Sequence, residues 1–140
     1  MSHIAASNES TLTALRWPIW IGRTLSALVI VFLVMDAGMK IATLPVVSES
    51  AVMIGWTADP GFWRAMGLLL LAITALYIWP RTAVLGAIVL TGYLGGAVAA
   101  HLRIGDPLFS HTLFGVYLGV VLWGGLWLRD ARVRNLLPFG

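Results

Sequence analysis

The chain has 140 residues, of which 59% are hydrophobic and only 11% are charged, and its formal net charge is +3. Soluble domains carry about a quarter charged residues, so this composition excludes a soluble globular domain and indicates a membrane protein. The absence of cysteine excludes disulfides, thiolate catalysis, iron–sulfur clusters and cysteine-based zinc sites. The basic residues lie near the ends of apolar segments, so no nucleic-acid partner is predicted.

Four apolar segments are long enough to cross a bilayer, which takes about 20 residues per helix. They predict an all-α membrane protein, a bundle of four transmembrane helices at about 19–42, 61–79, 82–102 and 108–128. Residues 1–15 are polar and small and are expected to form a mobile cytoplasmic tail, which leaves 16–140 as one transmembrane domain. The outer loop at 43–60 is apolar in its middle and is expected to cover the mouth of the bundle.

Short motifs mark the starts of the helices. Asp59-Pro60 and Asp106-Pro107 precede the second and fourth helices. Proline is tolerated in a first helical turn, and an aspartate before it can accept hydrogen bonds from backbone N–H groups without partners. Arg23-Thr24 and Arg81-Thr82 open the other two helices in a similar way. This alternation indicates a pseudo-repeat of two helical hairpins.

The basic residues are divided unevenly between the two sides of the predicted bundle. Lys40, Arg64 and Arg103 lie on one side. The other six lie on the side of both termini: Arg16, Arg23, Arg81, Arg129, Arg132 and Arg134. Because cytoplasmic loops carry an excess of lysine and arginine, both termini are predicted to be cytoplasmic. We expect a multi-pass protein of the bacterial cytoplasmic (inner) membrane.

The ionisable residues within the spans are concentrated toward the outer side. Such residues are costly in a membrane, usually face the interior of a bundle and often mark functional sites. Asp36 and Lys40 are four residues apart and therefore share one face of the first helix. One interpretation is a self-neutralising pair with the lysine reaching outward. The other is that Asp36 carries protons or anchors a ligand.

Two histidines flank the loop between the third and fourth helices. His101 ends the third helix, and His111 lies about one turn into the fourth, so the rings can approach each other. The dipoles of the two helices act oppositely on them, which predicts roles as acid and base. The alternative is a pair of ordinary hydrogen-bonded histidines. Asp106 or Glu49 could add a carboxylate, but the spacing fits no metal motif, so no metal site is predicted.

The third helix carries further candidates. Tyr93 needs a hydrogen-bond partner in hydrocarbon, so it either joins helices or binds a ligand. Arg103 could clamp an anionic ligand or contact lipid phosphate. The pairs Gly92/Gly96 and Gly115/Gly119 have the spacing of packing faces. They are expected to bring helices together within the bundle or to join two protomers of a homo-oligomer, and both alternatives stay open.

Several of these motifs follow one another in an order that is specific when taken together. They are Asp36-Ala-Gly-Met-Lys40, Pro80-Arg81-Thr82, Gly86 to Val98, His101-Leu-Arg103, Asp106 to His111, and Trp123 to Arg129. Over about residues 20–138 the chain resembles the DoxX-like family of small membrane proteins. The resemblance implies four transmembrane helices with both termini inside. Some members are similar to the membrane subunit of a thiosulfate:quinone oxidoreductase, others accompany redox or detoxification proteins, and a distant animal branch assists receptor assembly.

These observations lead to two hypotheses about function. The first is a membrane protein that binds a lipophilic ligand, a quinone, at its outer end and serves redox chemistry. Its catalytic residues would be His101, His111 and Asp36, and its ligand-binding residues would be Lys40, Arg103, Tyr93, Glu49 and Asp106. The second is a non-catalytic assembly or scaffolding subunit that docks a partner protein. The residues alone leave open whether the chain is an enzyme.

Overall fold

A computed structural model describes residues 2–136, with side chains from residue 17 onward. Its elements are α1 (Ser2–Ile41), α2 (Pro45–Met53), α3 (Pro60–Ile78), α4 (Ala83–Ile104), a π-helical turn (Leu108–Thr112), α5 (Phe114–Arg129) and α6 (Ala131–Leu136). Within residues 2–136 there is no β-strand. The mobile tail expected at 1–15 lies outside the residues whose side chains are described and stays a prediction.

Four segments are long and apolar enough to cross a membrane. They are Trp17–Ile41, Pro60–Ile78, Ala83–Ile104 and Leu108–Arg129. Their large apolar side chains, such as Leu28, Val31 and Val120, point outward and are more than half exposed. In water such a surface would aggregate, whereas in a bilayer it contacts lipid. The all-α, four-helix architecture predicted from the sequence is therefore confirmed, while the orientation of the termini and the pseudo-repeat stay predictions.

The four long helices form a ring. Helix α1 packs against α3 and α5, and α4 packs against the same two helices, so α1 and α4 are diagonal. Every one of these contacts includes a glycine: Gly22 with Gly125 (α1–α5), Gly67 (α1–α3), Gly86 (α3–α4) and Gly115 (α4–α5). At Gly86 a Cβ would lie only 2.4 Å from the backbone nitrogen of Tyr77. The absence of a side chain lets these backbones approach closely.

The glycine pairs chosen from the sequence behave differently. A Cβ at Gly92, Gly96 or Gly119 would meet no atom within 4 Å, whereas one at Gly115 would lie 2.9 Å from Val98 Cγ2. The expected packing of Gly92 and Gly96 against neighbouring helices is therefore wrong within the chain. Their spacing places both on one face of α4 but does not say whether a helix lies opposite that face. A homo-oligomer through these faces stays a prediction.

The bundle has two unlike halves, which we call the closed half (residues 17–30, 70–90 and 119–136) and the cavity half (residues 31–69 and 91–118). In the closed half Tyr77 is completely buried. Its hydroxyl lies 3.0 Å from Ser26 Oγ and donates to the carbonyl of Leu122 at 3.0 Å. The guanidinium of Arg129 lies 4.9 Å from the centre of the Tyr77 ring. One buried tyrosine thus joins α1, α3 and α5.

Arginines cap the closed half at its end. Arg134 Nη1 donates to the carbonyls of Trp127 and Leu128, at 3.1 and 2.8 Å, which lie in the last turn of α5. Arg132 donates to the carbonyl of Pro80 at 2.6 Å and to Asp130 Oδ2 at 2.9 Å. The hydrogen bonds from Arg132 lower the pKa of the Asp130 carboxyl. These contacts tie α6 to the turn between α3 and α4.

Helix α2 lies between two residues with left-handed backbone. Thr43 has a φ of 52° and Gly55 has a φ of 70°. Glycine adopts this conformation without cost, whereas a β-branched threonine there is a strained exception. Helix α2 is therefore set off from α1 and α3 by a sharp change of chain direction on each side.

Candidate functional site

A cavity of about 550 Å³ lies between the helices of the cavity half. Its wall is mainly apolar and aromatic, and α2 contributes Val46, Val47, Ser50 and Ala51 to it. Five residues predicted from the sequence also line it: Asp36, Lys40, Tyr93, His101 and His111. They come from α1, α4 and the π-helical turn, so only the assembled bundle brings them together.

Asp36 and Lys40 form an ion pair along α1. Their side chains are only 26% and 14% exposed, respectively, and both belong to the cavity wall. Pairing is what their spacing of four residues predicts. Because the charges offset each other, the pair brings polar atoms to an apolar cavity without adding net charge. This geometry fits a self-neutralising pair, and it equally fits an Asp36 that carries protons or anchors a ligand.

The two histidines lie side by side with their Nδ1 atoms engaged. His101 Nδ1 is 2.5 Å from Asp106 Oδ2, and His111 Nδ1 is 2.8 Å from Ser110 Oγ. The ring centres are 6.4 Å apart. Each ring therefore keeps Nε2 for a further partner. Across residues 17–136 no three histidine, aspartate or glutamate side chains come together in a group that could hold a metal ion.

Asp106 does not act as the helix cap that its position before Pro107 predicts. Its carboxylate contacts His101, and its carbonyl accepts a hydrogen bond from Thr112 Oγ1 at 3.2 Å. Asp59 does cap α3, because its Oδ2 accepts from the backbone N–H of Phe62 at 2.7 Å. The difference has a local cause. The fourth span begins with a π-helical turn, whose backbone bonds form without a side-chain cap.

Three predicted ligand-binding residues lie outside the wall of the cavity. Arg103 Nη2 donates to the carbonyls of Ile54 and Gly55, at 2.6 and 3.4 Å, and so ties the end of α2 to α4. Glu49 is exposed on α2. Asp106 reaches the site only through His101. Their predicted contacts with a ligand remain untested.

Sequence reasoning missed the aromatic part of the wall. Trp56 and Trp63 line the cavity next to Phe62, with ring centres 5.3 to 6.5 Å apart. The Nε1 atom of Trp63 donates to the carbonyl of Thr57 at 2.7 Å. Tryptophans near the end of a span are usually assigned to the membrane interface. The signal that could have identified these tryptophans as cavity residues is their nearness in sequence to the apolar stretch that forms α2.

Comparison with known proteins bears on the whole of this region. The model of the DoxX-like family matches residues 24–125, which include the cavity and its polar residues. No curated protein and no solved structure matches the chain. The family match confirms the resemblance seen in the sequence. Together with the four apolar helices, it identifies a multi-pass integral membrane protein.

Proposed function

The chain belongs to the DoxX-like family, and from that premise we propose that its cavity binds a lipophilic ligand, a quinone. One observation carries the proposal: Asp36, Lys40, Tyr93, His101 and His111 line the same mainly apolar cavity. Sites for small molecules typically have volumes of about 300–1,000 Å³, with apolar walls and a few polar groups. The cavity fits that description in size and in chemistry.

The polar groups suit an uncharged head group that forms hydrogen bonds. The ammonium of Lys40 is a donor, and its charge is offset by Asp36 within the same wall. The Nε2 atoms of His101 and His111 add two groups that can donate or accept. The oxygens of a quinone or quinol need such partners, while its ring and tail need the apolar and aromatic wall. This division of the cavity favours a quinone over a fully apolar lipid.

The proposed redox role depends on proton exchange by the two histidines. Reduction of a quinone takes up protons as well as electrons, so a site for it needs groups that exchange protons. We assign that role to His101 and His111, with Asp106 orienting the ring of His101 through Nδ1. Asp36 would hold the charge of Lys40 in place beneath the head group. The electrons would come from a separate redox protein.

Native mass spectrometry of the protein in lipid discs tests the binding. We expect the wild type to retain a quinone or a related lipophile, and His101→Ala and Asp36→Asn to lose it by about tenfold in occupancy, roughly 1.4 kcal/mol of binding free energy. Asp130→Asn is the matched control, because Asp130 is a carboxylate in the closed half, outside the cavity wall. Elemental analysis of the same samples measures bound metal.

A different result would favour the second hypothesis. If the wild type retains no lipophile and a partner protein co-purifies instead, the chain is an assembly subunit and the ligand proposal is wrong. Equal loss of the lipophile in Asp130→Asn and His101→Ala would also contradict it. In that case retention of the lipophile would depend on the overall stability of the protein and not on the polar groups of the cavity.

We also propose that both termini are cytoplasmic, in the inner membrane of a bacterium. The support is the excess of arginine at the closed end, where Arg81, Arg132 and Arg134 lie. Because the chain lacks cysteine, single cysteines at Arg81 and Glu49 can report on sidedness. A membrane-impermeant maleimide added to intact cells should label Glu49→Cys and leave Arg81→Cys unlabelled. The opposite labelling pattern would mean that both termini lie on the outer side of the membrane.

A further inference from the structure

Three of the four contacts between neighbouring helices are closed in the cavity half. A Cβ at Gly67 of α3 would lie 2.8 Å from the carbonyl oxygen of Ala37 in α1. Gly115 of α5 is similarly close to Val98 of α4. Between α1 and α5 the rings of Phe32 and Phe114 are in tilted contact, with centres 5.2 Å apart. Each of these three pairs of helices is therefore bridged by a close contact in the cavity half.

The fourth contact, between α3 and α4, has its close glycine contact in the closed half. There Gly86 meets the backbone of Tyr77. Further along α4, positions Gly92 and Gly96 have nothing within 4 Å of a Cβ, are exposed, and line the cavity. The cavity therefore reaches the exposed side of α4 at these two positions, and we call this part of its wall, between α3 and α4, the α3–α4 opening.

The far end of this opening is covered by the segment that follows α2. Gly55 and Trp56, together with Gly96, Ala99 and Arg103, line a second hollow beside the main cavity. The two hollows share Trp56, Gly96 and Ala100. Arg103 holds the covering segment in place through the carbonyls of Ile54 and Gly55. The α3–α4 opening is thus closed toward the end of the bundle and open to the side.

The depth of the opening places it inside the bilayer. With a rise of 1.5 Å per residue, Gly96 and Gly92 lie about 12 and about 18 Å from the end of α4 at Ile104. The hydrocarbon core of a membrane is about 30 Å thick, so both positions face acyl chains. A molecule that passes between them and α3 arrives from lipid and not from water.

We infer that the ligand of the cavity is dissolved in the membrane and enters sideways through the α3–α4 opening. This names the class of ligand for the site proposed above: a molecule whose apolar tail stays in lipid between α3 and α4 while its head reaches Asp36 and His101. The identity of the head group rests on the proposed function. The route does not, because it follows from the shape of the cavity wall.

Two adjacent glycines provide a matched test. Gly95 and Gly96 both have free space around a Cβ, but only Gly96 lines the cavity. Phe substitutions should therefore be tolerated equally, while only Gly96→Phe narrows the opening. The reporter is Ala97→Cys, a single thiol in the cavity wall of a chain without other cysteines. Its labelling in lipid discs is followed with a lipophilic pyrene maleimide and with a sulfonated maleimide, each rate divided by that of the unfolded protein.

We expect the pyrene maleimide to label Ala97→Cys about tenfold faster than the sulfonated reagent, and Gly96→Phe to slow it by about tenfold. Gly95→Phe should leave the rate within about twofold of the parent. Faster labelling by the sulfonated reagent, equal slowing by both Phe variants, or no labelling of the folded protein would overturn the inference. The assay contains no quinone, so it can succeed even if the quinone proposal fails, and it can fail while a quinone is still retained.

Discussion

Two tyrosines show how the halves of the bundle differ. Tyr77, in the closed half, is completely buried, and its hydroxyl has partners on α1 and α5. Tyr93, in the cavity half, faces the cavity beside Asp36 and His101. Both lie within membrane spans, where a polar group without a partner is costly. The closed half pairs the buried Tyr77 hydroxyl internally, whereas the cavity half presents several polar groups to the cavity.

The glycines repeat this contrast. In the closed half Gly22, Gly86 and Gly125 bring backbones into contact, and Gly67 and Gly115 do so in the cavity half, where Gly92 and Gly96 line the cavity without touching another helix. The same residue type therefore supports tight packing between helices and also an open part of the cavity wall. If the closed half provides most of the stability, changes there should affect folding most, and changes in the cavity half should act mainly on the site.

The largest expected effect is that of Gly86→Ala. Its methyl group would lie 2.4 Å from the backbone nitrogen of Tyr77, which cannot move without displacing α3. We expect the free energy of unfolding, measured by SDS titration in mixed micelles, to fall by about 3 kcal/mol. The control is Gly119→Ala, which has free space and should gain up to about 1 kcal/mol from helix propensity. Similar losses in both variants would contradict the proposed role of the Gly86 contact.

Lys40→Met tests the polar pair of the cavity half. It leaves Asp36 as an unpaired, largely shielded carboxylate within a span. We expect a loss of about 2 kcal/mol in the free energy of unfolding, most of which the double variant Lys40→Met/Asp36→Leu should recover. The same SDS titration measures both. If the double variant is as unstable as the single one, the lysine contributes by packing and not by neutralising Asp36.

Arg103→Met should act locally. Without its hydrogen bonds to the carbonyls of Ile54 and Gly55, the segment that closes the end of the α3–α4 opening is released. Amide hydrogen exchange at residues 45–55 should become about tenfold faster, while the free energy of unfolding changes by no more than about 0.5 kcal/mol. Arg64→Met, an exposed arginine on α3, is the control. Unchanged exchange in Arg103→Met would mean that α2 is held by its apolar contacts alone.

Asp130→Asn should have the smallest effect and a defined pH dependence. Arg132 lowers the pKa of Asp130 in the folded protein, so the carboxylate stabilises the fold above its unfolded pKa. That contribution disappears as the pH falls through the folded pKa. We expect wild type and variant to differ by roughly 0.5 kcal/mol at neutral pH and to converge in acid. A difference that grows in acid would reverse the assigned direction.

The sequence correctly predicted the structural features that a single segment of the chain determines. Long apolar runs gave the four helices, and Asp59 capped α3 as its position indicates. Asp36 and Lys40 paired because both lie on one helix. His101, His111 and Tyr93 line the same cavity as Asp36, in keeping with the tendency of ionisable groups to meet inside a bundle, while their role as a site stays a prediction.

The outcomes that depend on neighbouring helices were not predictable in this way. The spacing of Gly92 and Gly96 equals that of a packing face, but no atom of another helix lies within 4 Å of a Cβ at either position. Tyr77 carries the main buried polar network, and its sequence context is as apolar as that of Tyr93. The sequence allows Arg103 to face a ligand. Its actual contact with the carbonyl of Ile54 depends on the position of α2 in the fold, which the sequence does not show.

The contact at Gly86 also determines how the helices can move. It fixes α3 and α4 at one level near their connecting turn, so relative motion of the two is a rotation about that point. With 1.5 Å per residue, the end of α4 at Ile104 lies about 27 Å away, and a rotation of about 10° moves it by about 5 Å. A small tilt of α4 at this tightly packed contact would therefore produce a much larger displacement at the far end of the helix.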